Sequence, residues 1–175
     1  MPTSLITGAS RGIGLSLATA LSARGETVIA TARDPSKAGG LSSLARSGRK
    51  IEPQPLDVAS DASIAALAGS LAGRPIDLLV VNAGMIEARG GIDDAANTSA
   101  TWGRVLAVNV VGAFQTIRSL LPNVALAKAG RIAIISSMMA SSTRAAGVSY
   151  CYRASKAAIA NVGANLAVEL RPRGI

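Results

Sequence analysis

The strongest constraint on this chain lies in its first fourteen residues. A short apolar run, Ser4-Leu5-Ile6-Thr7, enters Gly8-Ala9-Ser10-Arg11-Gly12-Ile13-Gly14, and a helical pattern then runs from Gly12 to Arg24 and stops at Gly25. Strand, glycine-rich turn and helix in that order form a phosphate cradle, because backbone N–H groups and a helix N-terminus face the same point. The spacing is Gly-x-x-x-Gly-x-Gly, and no Lys-Ser/Thr comes after it, which excludes a P-loop. Taken alone, the loop could also be a tight turn that needs glycine dihedrals. The strand and helix pattern of the rest of the chain favours the cradle.

Four further apolar runs alternate with helical patterns, which calls for a parallel sheet with helices on its faces. Thr27–Ala32 reads as the second strand. Ile51–Leu56 reads as the third, placed at an edge by Pro53 and Pro55. Ile76–Val81, apolar throughout, reads as a fourth strand buried on both faces, and Arg131–Ile135 as the fifth. Helices are expected over Ser60–Leu71, over Thr101–Leu121 with Pro122 as its stop, and over Tyr150–Leu170. A short, poorly defined helix is expected within Ser36–Ser47. Neither repeat nor linker divides the 175 residues, so one domain spanning 1–175 is expected.

Ligands of such sheets bind at the C-terminal ends of the strands, and several candidates lie there. The second strand ends in Ala32-Arg33-Asp34. An acidic residue at its end would favour NAD, whereas Arg33 together with Arg11 suits a 2′-phosphate and favours NADP; alternatively, Asp34 neutralises Arg33 at the surface. Asp57, next to Val58, could accept a hydrogen bond from an adenine amino group or could belong to the N-cap of the next helix. Asn82-Ala83-Gly84 closes the fourth strand with residues small enough for a cofactor to approach the backbone. Asn109 interrupts an apolar helical stretch and needs partners, since a buried unpaired amide costs about 1–3 kcal/mol. Ser136-Ser137 places two hydroxyls after the fifth strand, a position that is often simple turn chemistry.

Tyr152 and Lys156 stand four apart on the last helix and so share a face. A phenol needs about 4 kcal/mol to work as an acid at neutral pH, and one cation near ~4 Å supplies an interaction of that order at an effective dielectric of about 20. Tyr150 has no lysine four positions on. In isolation the pair could equally be two surface residues.

Composition removes other chemistries. There is no histidine, which rules out Ser-His-Asp catalysis and histidine-metal sites. The single cysteine, Cys151, cannot form an internal disulfide, which fits a reducing compartment. With no charged-then-apolar leader and no apolar run of spanning length expected, the cytoplasm is the expected location and no membrane partner is foreseen. The net charge is +8, but the basic residues are dispersed and aromatics make up only 2%, so the charge points to a small anionic ligand rather than nucleic acid.

Assembled in this order, the motifs resemble the short-chain dehydrogenase/reductase family. Thr7–Gly14 is similar to its cofactor signature, Asn82-Ala83-Gly84 to its fourth-strand signature, and Asn109, Ser137, Tyr152 and Lys156 to its catalytic tetrad. The segment from Ser149 to Lys156 resembles the C-factor and sniffer-type carbonyl reductase branch. The resemblance implies a Rossmann-type doubly wound sheet of order 3-2-1-4-5 and a homodimer or homotetramer. It also implies NADP(H)-dependent hydride transfer between the nicotinamide and a carbonyl or alcohol. Ser137 would bind the substrate oxygen and Tyr152 would be the general acid/base. Lys156 would lower the tyrosine's pKa and hold the nicotinamide ribose, and Asn109 would hold a relay water. Gly8, Ser10, Arg11, Gly12, Ile13, Gly14, Arg33, Asp57, Val58, Asn82, Ala83 and Gly84 would contact the cofactor, as would Tyr152 and Lys156. Cys151 is expected to pack rather than react. Members of the family usually continue for another 50 residues or more, adding two strands and a substrate loop. The chain is therefore expected to be a fragment or a truncated relative whose substrate pocket lacks one wall, and a truncated relative could bind a dinucleotide or a partner without catalysis.

Overall fold

In the computed structural model, which describes residues 1–175, five parallel strands form one sheet in the order β3-β2-β1-β4-β5. They are β1 (Thr3–Ile6), β2 (Thr27–Ala32), β3 (Ile51–Pro55), β4 (Leu78–Val81) and β5 (Arg131–Ile134). The two prolines expected to confine β3 to an edge do so, since β3 pairs only with β2. β5 forms the other edge and pairs only with β4.

Two apolar layers hold helices on the two faces. On one face, Ile6, Val28, Ala30, Ala32 and Val80 pack with Ala18 and Leu21 of α1 (Gly12–Ala23) and Leu41 of α2 (Gly39–Ala45). On the other, Leu5, Ile29, Leu79 and Val81 meet α3 (Asp61–Ser70), α5 (Ala113–Ala125) and α6 (Tyr150–Leu170) through Ile64, Leu67, Ile117, Leu120, Val124 and Ile159. Beside β5, Ile132, Ile134, Leu166, Leu170 and Ile175 line an apolar groove of about 110 Å³.

The long fourth helix differs from the expectation at both ends. It starts at Ser99 rather than Thr101, because Thr98 is its N-cap and accepts from the Thr101 N–H. It also runs through Pro122 to Ala125. Proline forfeits one helical hydrogen bond, but the turn beyond it is tied to its surroundings. Asn123 Nδ2 donates to the carbonyls of Leu71 and Arg74 at 2.6 and 2.8 Å, and the Asn123 carbonyl accepts from Ile76 N–H. Between α4 (Ser99–Leu106) and α5, residues Ala107–Gly112 adopt the wider π-helical pitch. The span Ser99–Ala125 is long and apolar enough to cross a membrane, with a mean hydropathy of 1.3 over an 18-residue stretch, which departs from the expectation of no such run. One face of it is buried in the sheet's core instead, through Ala113, Ile117, Leu120 and Val124, while Val105 packs with Ala88 and Cys151.

Replacing Asn123 with alanine leaves two carbonyls without their donor. Asn123→Ala is expected to cost about 2–3 kcal/mol, read as a lower urea midpoint at unchanged m-value. An unchanged midpoint would show that the turn after Pro122 does not depend on this amide.

Candidate active site

The site begins where the chain reverses direction across the sheet, between β1 and β4, the position at which such sheets open a crevice. Thr7 Oγ1 accepts from the N–H groups of both Asn82 and Ala83 at 2.9 Å. Asn82 Nδ2 returns two bonds, to the carbonyls of Thr7 at 2.9 Å and Gly8 at 3.0 Å. The two strand ends are thus sewn together beneath the crevice. Glycine is required at two points here. Gly8 has φ +69° and lies against the Ala83 backbone, and a Cβ on Gly14 would overlap the Gly8 carbonyl and Asn82 Nδ2.

Above this knot, α1 has no side-chain cap and no acidic residue in its first turn. The N–H groups of Ser10, Arg11, Gly12, Ile13 and Gly14 donate to no protein acceptor. Gly12, at φ +57°, faces open space. Five free amides at an uncapped helix start suit the pyrophosphate of a dinucleotide. Ala32 closes β2, and the exposed Arg33 comes next. The surface pairing foreseen for Asp34 occurs with another residue: Asp34 binds Lys37 at 3.0 Å and the Ser36 N–H and hydroxyl. These contacts, the Ser36 hydroxyl first, hold its carboxyl below the usual carboxylate range. Arg33 and Arg11 have no carboxylate partner. Asp57 is not the helix cap; Ser60 is, accepting from the Ser63 N–H. Asp57 Oδ1 takes the Ala59 N–H at 3.0 Å, and its other carboxylate oxygen takes no protein donor. Val58 is buried in the core, with its carbonyl against Gly112.

The proposed tetrad is distributed around the same crevice. Lys156 is 5% exposed and has no acidic partner. Its Nζ donates to the Ile135 carbonyl at 2.8 Å and lies 5.9 Å from the centroid of the Tyr152 ring. Burial pushes its pKa down. The next residue along, Ser136, donates its hydroxyl to the Lys156 carbonyl at 3.0 Å, so the end of β5 grips Lys156 at both its main chain and its ammonium. Ser137 Oγ accepts from the Met139 N–H at 3.1 Å, which leaves its own proton available to a ligand. Asn109, 1% exposed, lies in the π-helical stretch. Its Oδ1 accepts from the Met85 N–H at 2.8 Å, and its Nδ2 donates to the Met85 carbonyl and the Ser155 hydroxyl at 2.8 and 2.9 Å. Both amide protons of Asn109 are therefore committed, and neither is free for the relay water expected of it. A Cβ on Gly84 would come within 3.3 Å of Asn109 Oδ1 and 3.4 Å of Lys156 Nζ, so this glycine keeps the space between them open.

Tyr150 lies elsewhere. With Arg153, Ala154 and Ala157 it lines a cavity of about 260 Å³ beneath residues 139–148, away from Lys156. Cys151 is fully buried beside Ala88 and Val105 and makes only a weak hydrogen bond to the Glu87 carbonyl, as packing requires. Thr7, Ser136 and Ser155 have structural roles at the site that spacing alone did not reveal. Each is a small hydroxyl in or beside a motif, and a partner of each comes from a distant segment.

A model of the short chain dehydrogenase family matches residues 2–175. The chain belongs to the short-chain dehydrogenase family. It is 32% identical over 173 residues to galactitol 2-dehydrogenase of Rhizobium johnstonii, covering 98% of this chain and 66% of that protein. It is 34% identical to retinol dehydrogenase 8 of Bos taurus, covering 96% of this chain and 54% of that protein. Among solved structures, a short-chain dehydrogenase from Streptomyces avermitilis superposes with a TM-score of 0.88 at 31% identity, covering 100% of this chain and 64% of the other. A metagenomic short-chain oxidoreductase in complex with NADP gives 0.85 at 33% identity, with 99% and 78% covered. The chain thus spans roughly half to two thirds of the curated short-chain dehydrogenases it matches here. The fold and its strand order are those of the family.

The buried, unpaired Lys156 ammonium should burden the fold. Its pKa is lower folded than unfolded, so the charged form costs stability below the folded value, and the cost fades as pH rises towards the ordinary 10.5. Lys156→Met, which fills similar space without charge, is expected to stabilise the protein by about 1 kcal/mol at pH 7, with the gain shrinking by pH 10. Destabilisation at both pH values would show that the bond to Ile135 outweighs the desolvation cost.

Proposed function

We propose that this short-chain dehydrogenase is an NADP(H)-dependent carbonyl reductase or alcohol dehydrogenase in which Tyr152 is the general acid/base. The observation that carries the reading is Lys156. A lysine that is 5% exposed, paired with no carboxylate and set beside a tyrosine ring lacks a purely structural reason to be charged. Beside a group that must give up a proton, the charge has a use. An ammonium beside the ring attracts the charge of the phenolate left after proton transfer and not the neutral phenol, which favours that transfer.

The bound nicotinamide would supply or accept the hydride. The chain's own residues do the rest. The amides of Ser10–Gly14 hold the pyrophosphate, and the backbone at Asn82, Ala83 and Gly84 lets the cofactor lie close to the sheet. Asp57 accepts from the adenine amino group, and the Val58 main chain flanks it. Lys156 holds the nicotinamide ribose, Ser137 donates its free proton to the substrate oxygen, and Tyr152 protonates that oxygen. These are a donor and an acid aimed at a developing alkoxide. Asn109 has both amide protons engaged, so a relay water near it would have to use an oxygen of this residue.

Preference for NADP(H) over NAD(H) is supported by the absence of an acid at the end of β2 and by the unpaired, exposed Arg33 and Arg11. The likeness of Ser149–Lys156 to the carbonyl reductase branch supports reduction of a small carbonyl compound. Exposed Val111 and Phe114 on the long helix and Val168 on α6 support a homodimer or homotetramer, and the single buried thiol supports a cytoplasmic setting.

Oxidation of NADPH by the purified chain with a panel of aldehydes and ketones tests the reading. Turnover is expected, and Tyr152→Phe should lower kcat by ~10²–10⁴ while leaving NADPH affinity within threefold. NADPH binding without turnover would instead identify a dinucleotide-binding protein without catalysis. For the cofactor, Arg33→Ala should weaken NADPH by about tenfold and leave NADH unaffected; equal effects would refute the assignment.

A further inference from the structure

Ser155 sits beside Lys156 in sequence and is completely buried. Its hydroxyl donates to the carbonyl of Tyr152 at 2.7 Å, a bond one turn back along its own helix. Many helical serines make that bond and nothing else. Here the same oxygen also accepts from Asn109 Nδ2 at 2.9 Å, a donor on a different helix 46 residues away in sequence. The remaining polar contacts of the Asn109 side chain are both with the main chain of Met85, the residue after Gly84. A continuous path of hydrogen bonds therefore runs from the backbone beyond β4, through Asn109 and Ser155, to the carbonyl of Tyr152. It lies around the space at Gly84 that Asn109 Oδ1 and Lys156 Nζ border from two sides.

Packing does not account for this serine. Alanine fills nearly the same volume and is the better helix former. What alanine cannot do is accept the second proton of the Asn109 amide, and a buried donor left without a partner costs about 1–3 kcal/mol. That donor could regain a partner only by turning the amide, which would break its two bonds to Met85. The hydroxyl thus adds a link between two elements: the loop after β4, along which a dinucleotide would lie, and the first turns of α6, which carry Tyr152 and Lys156. Ser149 and Cys151 tie the far end of that loop, at Glu87–Gly90, to the start of α6, whereas the path through Ser155 is the one that reaches Met85, next to Gly84.

We propose that Ser155 is a positioning residue for proton transfer: its hydroxyl, held between Asn109 and the Tyr152 carbonyl, sets where the phenol and the ammonium stand relative to the loop at Gly84 and Met85. It touches neither substrate nor cofactor and acts through Asn109 and the main chain of α6. The inference rests on the reading of Tyr152 as the acid. Its energetic scale comes from geometry, since a displacement of about 1 Å at a reacting group can cost on the order of 10²-fold in rate.

The test compares Ser155→Ala with Ser155→Thr and Asn109→Ala, and with the Ser155→Ala/Asn109→Ala double variant. It measures kcat, KM, the NADPH dissociation constant and amide hydrogen exchange. Ser155→Ala is expected to lower kcat by ~10–100-fold, with KM and NADPH affinity within threefold, and to speed exchange at Met85 at least fivefold. In the Asn109→Ala background the same change should add less than twofold, because the two residues act as a unit. Ser155→Thr, which keeps the hydroxyl, should recover Met85 protection. A residue that served stability alone would lower the melting temperature without the selective loss in kcat. If Ser155→Ala does not fold, Ser155→Cys, with a weaker hydrogen-bonding group of similar size, carries the same comparison. Unchanged kcat, or additive losses in the double variant, would overturn the proposal. Should the wild-type chain bind NADPH but not turn over, the reductase reading fails by itself and Ser155 is then judged by exchange. Unchanged Met85 protection in Ser155→Ala would overturn the coupling, and faster exchange confined to Met85 and the first turns of α6 would support it.

Discussion

The molecule depends on how closely the ends of β1 and β4 can be brought together. Four hydrogen bonds between Thr7, Asn82 and their neighbours hold those ends, and the contact exists only because Gly8 and Gly14 present no Cβ to one another or to Ala83 and Asn82. From that knot one arm rises into the free amides at the start of α1. The other leads through Gly84 and Met85 to Asn109 and on to α6. The two parts of the site to which we assign phosphate binding and proton transfer are therefore mounted on one junction. The sheet's C-terminal edge acts as a shared frame rather than as a set of independent loops.

The energetics of the site run against the stability of the fold in one place. Lys156 is taken out of water and given one carbonyl in return, with no carboxylate nearby. Such a charge is costly, yet the structure goes to some length to keep it in place, holding its ammonium with Ile135 and its main chain with Ser136. A charge kept in place at the expense of stability is what a trade between activity and stability would leave at a functional site. The π-helical stretch at Ala107–Gly112 is a second local departure. Such bulges occur disproportionately at functional sites, and this one contains the asparagine that ties the site's two halves together.

Much of this architecture can be read from the residues. The alternation of apolar runs with helical patterns marks the five strands and their parallel arrangement, and the prolines of β3 mark the edge. Gly8, Gly12 and Gly14 mark the tight turn between β1 and α1, and the four-residue spacing of Tyr152 and Lys156 marks two side chains that the structure does place near each other. The departures share a physical cause. Pro122 is a local helix breaker, but Asn123 finds partners at Leu71 and Arg74 that no local rule anticipates. Asn109 is recognisable in the sequence as a buried amide in need of partners. That those partners are the Met85 backbone and Ser155 is decided only when the loop after β4, the π-helical stretch and α6 meet. Asp34 likewise finds Lys37, three residues away, rather than its neighbour Arg33. Local chemistry announces which groups must be satisfied, and the tertiary arrangement decides by whom.

If a dinucleotide lies along this frame with its reactive end at Lys156 and Tyr152, a crystal structure of the chain with NADPH will show it most directly. The pyrophosphate is expected on the amides of Ser10–Gly14, the 2′-phosphate between Arg11 and Arg33, and the nicotinamide ribose within hydrogen-bonding distance of Lys156 Nζ. A dinucleotide bound in the opposite direction, or one whose nicotinamide lies away from Tyr152 and Lys156, would contradict this arrangement.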